Sequence, residues 1–223
     1  FIPCDDDVDI AMVRSEYRKF CKVCKKELDS EKYFFQNHDT DPDYRWGYAK
    51  VLKNGTSFVR YGQEHMKMRR GVYVEIFPMD GIPEGPIEKK FYNFLRVCCR
   101  KVMWSEVGKI SCKSIGMRLW FGMVNRIPVD KAFAMLEFLS KKYDERKATY
   151  VTCLSFPDCW VKGEPGFRRE YYLNTKRMLF EGEEINVPIK EKELLVTLYG
   201  NDYMTPPPEK ERGTHIPVSD FKF

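Results

Sequence analysis

Two short stretches constrain this chain more than anything else in it: D-V-D-I at residues 7–10 and V-Y-V-E-I at residues 72–76. Both alternate apolar with polar side chains, the period of a β-strand, in which residues two apart share a face about 6.6–7 Å apart. Asp7 and Asp9 therefore project side by side, Asp5 extends the row if the strand begins early, and Val8 and Ile10 are expected to anchor the opposite face in the core. In the second stretch Val72, Val74 and Ile76 share the core face, which turns Tyr73 and Glu75 the other way. Crowded carboxylates repel one another, and burying one unpaired is costly. A multivalent cation removes that cost, and a pair of magnesium ions about 3.5–4 Å apart needs such bridging oxygens. Glu75 is preferred as the third carboxylate over Asp80, because Asp80-Gly81 is ordinary turn chemistry. A solvated acidic edge strand competes with this metal reading.

The rest of the chain narrows the class. Its 223 residues are 43% hydrophobic and 32% charged, enough for one well-buried domain. No run of residues has the length and apolarity of a membrane span, and no secretory leader is read in it. The net charge of +5 is dispersed, with no long basic run, which argues against nucleic acid as a partner. Eight cysteines in a chain of this size read as reduced thiols. Cys21 and Cys24 form a C-x-x-C pair, but they share a helical face with Tyr17, Phe20 and Leu28, so packing is favoured over zinc.

Periodicity predicts a strand over 7–12 and an amphipathic helix over 14–28. A hairpin is expected over 47–61, turning at Asn54-Gly55. A strand over 71–83 is expected to be stopped by Pro78. A helix starts at Pro86 with Ile87, Phe91, Leu95, Cys98 and Val102 as its apolar stripe, followed by an irregular helical stretch to residue 128. A further helix starts near Asp130 and carries Ala132, Phe133, Leu136 and Leu139. Strand character returns over 149–161, and a short helix over 190–199 closes at Gly200. The whole chain, residues 1–223, reads as one α+β domain.

The wording of these blocks is familiar. FIPCDDDVDIAMVRSEYRKF resembles the signature of the LicD family of phosphocholine transferases, close to FIPWDDDIDIGMPRxDYxxF. The resemblance continues through YFFQNHDTDPDY, AKVLKNGT, GVYVEIFPMDGIP, LFEGEEINVP and LYGNDYMTPPPEKERGTH. It implies a nucleotidyltransferase-like fold: a small mixed sheet flanked by helices, with a helical C-terminal part. It implies Asp5, Asp7, Asp9 and Glu75 as ligands for Mg2+, with Mn2+ as a substitute, and Asp7, Asp9 and Glu75 as catalytic. Glu75 stands where the family more often has Asp, and Cys4 where it has Trp. The family's G-T-L-L-G-like phosphate-gripping element would precede Phe1, so the natural protein is expected to be longer.

The implied reaction moves phosphocholine from CDP-choline to a sugar hydroxyl of a cell-surface glycan precursor, of lipopolysaccharide or teichoic acid type, free or lipid-linked, with release of CMP. Arg14 and Lys50 are candidates for the phosphates. Tyr199, Asp202 and Tyr203 are candidates for the substrate, since a choline head favours aromatic rings. The implied location is cytoplasmic, with peripheral contact at the inner face of the membrane. The rival readings are nucleotidyl or pentitol-phosphate transfer on the same scaffold, and a non-catalytic cation-binding interaction domain.

Overall fold

A computed structural model describes residues 2, 8–156, 164–206, 208 and 218–223. Its centre is a mixed sheet built on one long strand. β5 (Tyr73–Gly81) pairs in parallel with β1 (Asp9–Val13) and antiparallel with β3 (Ala49–Lys53), which in turn carries β2 (Tyr33–Gln36) on its far edge. β6 (Tyr150–Thr152) joins the end of β5 at Asp80 and Gly81, and β7 (Phe167–Arg168) pairs with β6. The predicted α+β class holds.

Both faces of the sheet are covered. α1 (Arg14–Glu27) follows β1 without a break and packs Tyr17 against Phe35, Ala49 and Ile76, with Phe20, Cys21, Cys24 and Leu28 alongside. This is the predicted face of the helix, and the C-x-x-C cysteines pack on it as free thiols. The opposite face of β5 meets Tyr44, Trp46, Tyr48, Met66 and Val107 around Phe77 and Met79. A third cluster joins α2 (Pro86–Ser111) to α4 (Val129–Lys142), where Ala132, Phe133, Leu136 and Leu139 are buried as expected. α3 (Ile115–Val124) lies against α2.

Several expectations are corrected. Pro78 does not stop β5; the ladder with β3 ends at Ile76 and that with β6 begins at Asp80, so Pro78 sits in the gap between them, where a missing N–H costs least. The Asn54-Gly55 turn forms, with Gly55 at φ 78°, but no hairpin ladder follows it. β3 is already paired on both edges, so β4 (Ser57–Arg60) leaves the sheet and pairs with β10 (Val218–Lys222). Ile10 and Val8 are not core anchors: they are 39% and 48% exposed, because among the described strands β1 pairs only with β5.

The apolar stripe on α2 is also rotated. Ile87, Phe91 and Cys98 are exposed; Val102 is buried and Leu95 half-buried as expected, and Tyr92, Arg96, Cys99, Met103 and Val107 are buried beside them. Both sets have helical spacing; the second was obscured by Arg96, whose guanidinium donates to the carbonyls of Cys153 at 3.4 Å and Phe156 at 2.8 Å. Among the described residues the expected helical C-terminal part is reduced to one short helix. The long helices lie in the middle, and the last third holds the hairpin β8 (Thr175–Phe180) and β9 (Glu183–Pro188), α5 (Glu191–Tyr199) and β10.

Candidate active site

The register of three neighbouring strands lines up three charged residues. Asp9 on β1 is the lateral partner of Glu75 on β5, and Glu75 is the partner of Lys50 on β3. Lateral partners project to the same face. Gln36 on β2 continues the row beyond Lys50. The row passes from an exposed carboxylate at the sheet edge to buried groups within it.

Glu75 is held tightly. Its Oε1 accepts from the Tyr48 hydroxyl at 3.2 Å and from Arg60 at 3.0 Å, and lies 3.0 Å from the Lys50 Nζ. Arg60 also donates to the Tyr73 hydroxyl at 2.7 Å, and the Lys50 ammonium sits 3.4 Å from the centre of the Tyr73 ring. Burial pushes the Lys50 ammonium down to about 8, against the pull of Glu75, and the nearby Arg60 charge adds to the fall. Burial pushes the Tyr73 hydroxyl up to about 12, with Arg60 opposing. Two cations and one anion under an aromatic cover leave net positive charge beside the exposed carboxylate of Asp9. Such an arrangement suits an anionic ligand whose charge grows during reaction.

Arg60, Tyr48 and Tyr73 were not singled out as site residues from the sequence. The Tyr48–Lys50 and Tyr73–Glu75 spacings carry a period-2 signal that points both pairs to one face. No local signal marks Arg60, which arrives from the strand that leaves the sheet.

Arg14 does not join this group. It donates to Asp80 at 2.7 and 2.5 Å in a buried, two-bond ion pair. Asp80 is five positions along β5 from Glu75, on the side covered by α1. Burial works against the Arg14 charge, yet Asp80 outweighs it and the guanidinium is raised above its ordinary range. Burial pushes the Asp80 carboxyl up while Arg14 pulls it down. Arg14 thus ties α1 to β5. Tyr199, Asp202 and Tyr203 lie at and just beyond the end of α5, the first two exposed and Tyr203 half-buried. Asp5 and Asp7 lie outside the described residues.

This bears on a metal. Among the described residues, no three His, Cys, Asp or Glu side chains gather to hold an ion. Of the four expected ligands only Asp9 and Glu75 are described, and Glu75 is already bonded to two cations. Asp9 and Glu75 are half of the expected ligand set, and the other half lies outside the described residues.

A comparison with known proteins adds a second line. The chain is 26% identical over 228 residues to lipopolysaccharide cholinephosphotransferase LicD of Haemophilus influenzae, a match covering 96% of this chain and 80% of that protein. That supports a LicD-family assignment. No family model matches the chain, and no solved structure matches it. The similarity to LicD spans almost the whole chain and agrees with the family that the sequence blocks resemble.

Proposed function

We propose that this chain is a phosphotransferase that moves phosphocholine from CDP-choline to a sugar hydroxyl of a cell-surface glycan precursor and releases CMP. The observation that carries the reading is the similarity to LicD over 96% of the chain. It is supported by two cations, Lys50 and Arg60, held in fixed positions beside an exposed carboxylate. The scaffold is read as nucleotidyltransferase-like, acting at the cytoplasmic face of a membrane.

In the proposed step the acceptor oxygen forms a bond to the phosphorus of the phosphocholine half. The bond from that phosphorus to the bridging oxygen breaks in line, and CMP leaves with the electron pair. Lys50 and Arg60 offset the charge that grows on the leaving phosphate. Glu75 keeps those cations in place. The hydroxyl proton is proposed to pass to Asp9, the exposed carboxylate beside these cations. Tyr199, Asp202 and Tyr203 are proposed contacts for the choline cation. A divalent cation, Mg2+ or Mn2+, belongs to the proposal; Asp5 and Asp7 would hold it, leaving Asp9 for the proton, and it would neutralise pyrophosphate charge.

Titration calorimetry of CDP-choline with and without Mg2+, paired with product analysis on a glycolipid acceptor, tests the reading. Metal-assisted binding and CMP release are expected. Asp9→Asn should abolish turnover while changing stability by less than about 0.5 kcal/mol, as for an exposed site. Release of pyrophosphate, or turnover unchanged in Asp9→Asn, rejects the reading.

A further inference from the structure

α3 presents an unusual surface. Its ten residues, IGMRLWFGMV, contain one charge, Arg118. Phe121 alone among them is buried; it packs so closely on α2 that a Cβ on Gly108 would stand 2.5 Å from its ring. Asn125, at the end of the helix, is a second tie to α2, accepting from the Ser105 hydroxyl at 2.8 Å and donating to Glu106 at 2.9 Å. The opposite face turns outward. Ile115, Leu119 and Met123 are 74%, 67% and 60% exposed, and they succeed one another at four-residue spacing along one line of the helix. Trp120, beside that line, is also exposed; Met117 is partly exposed but stands four positions before Phe121, on the side of the helix that meets α2.

Exposed apolar residues scattered singly are normal; a continuous row on a helix of about 15 Å is not. The charges around it are one-sided. From residue 107 to residue 129 the sequence has Lys109, Lys113, Arg118 and Arg126 and no acidic residue. Lys113 precedes the helix, Arg118 is within it and Arg126 follows it. Lys109 pairs with Glu106 at 2.8 Å, just outside the stretch.

We propose that α3 docks this protein on an anionic lipid surface, with Ile115, Leu119 and Met123 entering the headgroup boundary and Lys113, Arg118 and Arg126 meeting acidic lipid. An apolar face combined with cations whose long stems can reach out of the apolar layer is the composition of helices that lie in the interface. The charge pattern selects this occupant over a second copy of the chain, because a two-fold contact through α3 would bring two sets of cations together. No described helix is long and apolar enough to cross a membrane, so the contact is with the surface. The proposal deepens the membrane-face part of the proposed function, and it is tested with no substrate present, so its failure and the failure of phosphocholine transfer are distinguishable.

The test is co-sedimentation of the full chain with vesicles of phosphatidylglycerol mixed with phosphatidylcholine, and with vesicles of phosphatidylcholine alone. Binding to the anionic vesicles is expected, weakening as salt is raised. Lys113→Gln and Arg126→Gln should each weaken it about fivefold. Leu119→Ser combined with Met123→Ser should weaken it at least about tenfold with an unchanged circular dichroism spectrum, since both side chains are exposed. Equal recovery of the chain in the supernatant with both vesicle types overturns the proposal. So does undiminished binding by the double serine variant. A wild-type dimer in ultracentrifugation that the double serine variant dissolves assigns the face to a second copy and also overturns it.

Discussion

Replacing Lys50 with Met probes the row of charges at its most perturbed member. Lys50 titrates at about 8 in the folded protein, against an ordinary value of 10.5. The side chain is buried, so solvent screening takes little from this difference. At about 1.36 kcal/mol per pH unit, keeping the charge on Lys50 costs the folded state about 3 kcal/mol near neutral pH. The sign follows from proton counting. Between the two values the unfolded chain holds the lysine proton and the folded chain does not, so the stability attributable to Lys50 rises with pH across that window. Lys50→Met removes the titration and keeps most of the side-chain volume. Urea unfolding of both proteins in EDTA, at about pH 7 and about pH 9.5, isolates the effect. The stability difference should move in favour of the wild type by about 2 kcal/mol between the two conditions. A difference that stays level, or moves toward the variant, would refute the claim that burial dominates the environment of Lys50.

Two further outcomes follow from the packing. Arg14→Met or Asp80→Asn alone should destabilise by about 3–5 kcal/mol in urea unfolding, because each leaves a buried partner uncompensated, while Arg14→Met with Asp80→Leu should recover most of that loss. Gly108→Ala should lower stability by about 1–3 kcal/mol, because Phe121 fills the space that a methyl group would need; a neutral effect would mean that α3 can move off α2 at little cost.

Much of the candidate site was legible because it is written in period two. The alternation in Y-V-E-I put Tyr73 and Glu75 on one face, and the alternation at the N-terminal strand supplied Asp9, which the register sets beside Glu75. Lys50 was picked out by the family wording, but its burial was not foreseen, since a lysine in a polar-looking strand reads as solvated. Arg60 was invisible: its position depends on β4 finding no free edge on β3 and pairing with β10 instead. The buried pair of Arg14 with Asp80 was not legible, because the two are 66 positions apart and Asp80-Gly81 has the wording of a turn.

Local pattern by itself determined the elements whose signal is dense: the amphipathic face of α1, the buried face of α4 and the alternation of β5. It could do so because strand and helix periods are properties of a few consecutive side chains, independent of what they later meet. Tertiary structure decided what depends on competition for partners. It chose which of two apolar stripes on α2 is buried, which edges of β3 are taken, which cations reach Glu75 and which apolar face of α3 is left outside. In each case more than one local arrangement satisfies the chain, and only the free energy of packing distant segments together selects among them.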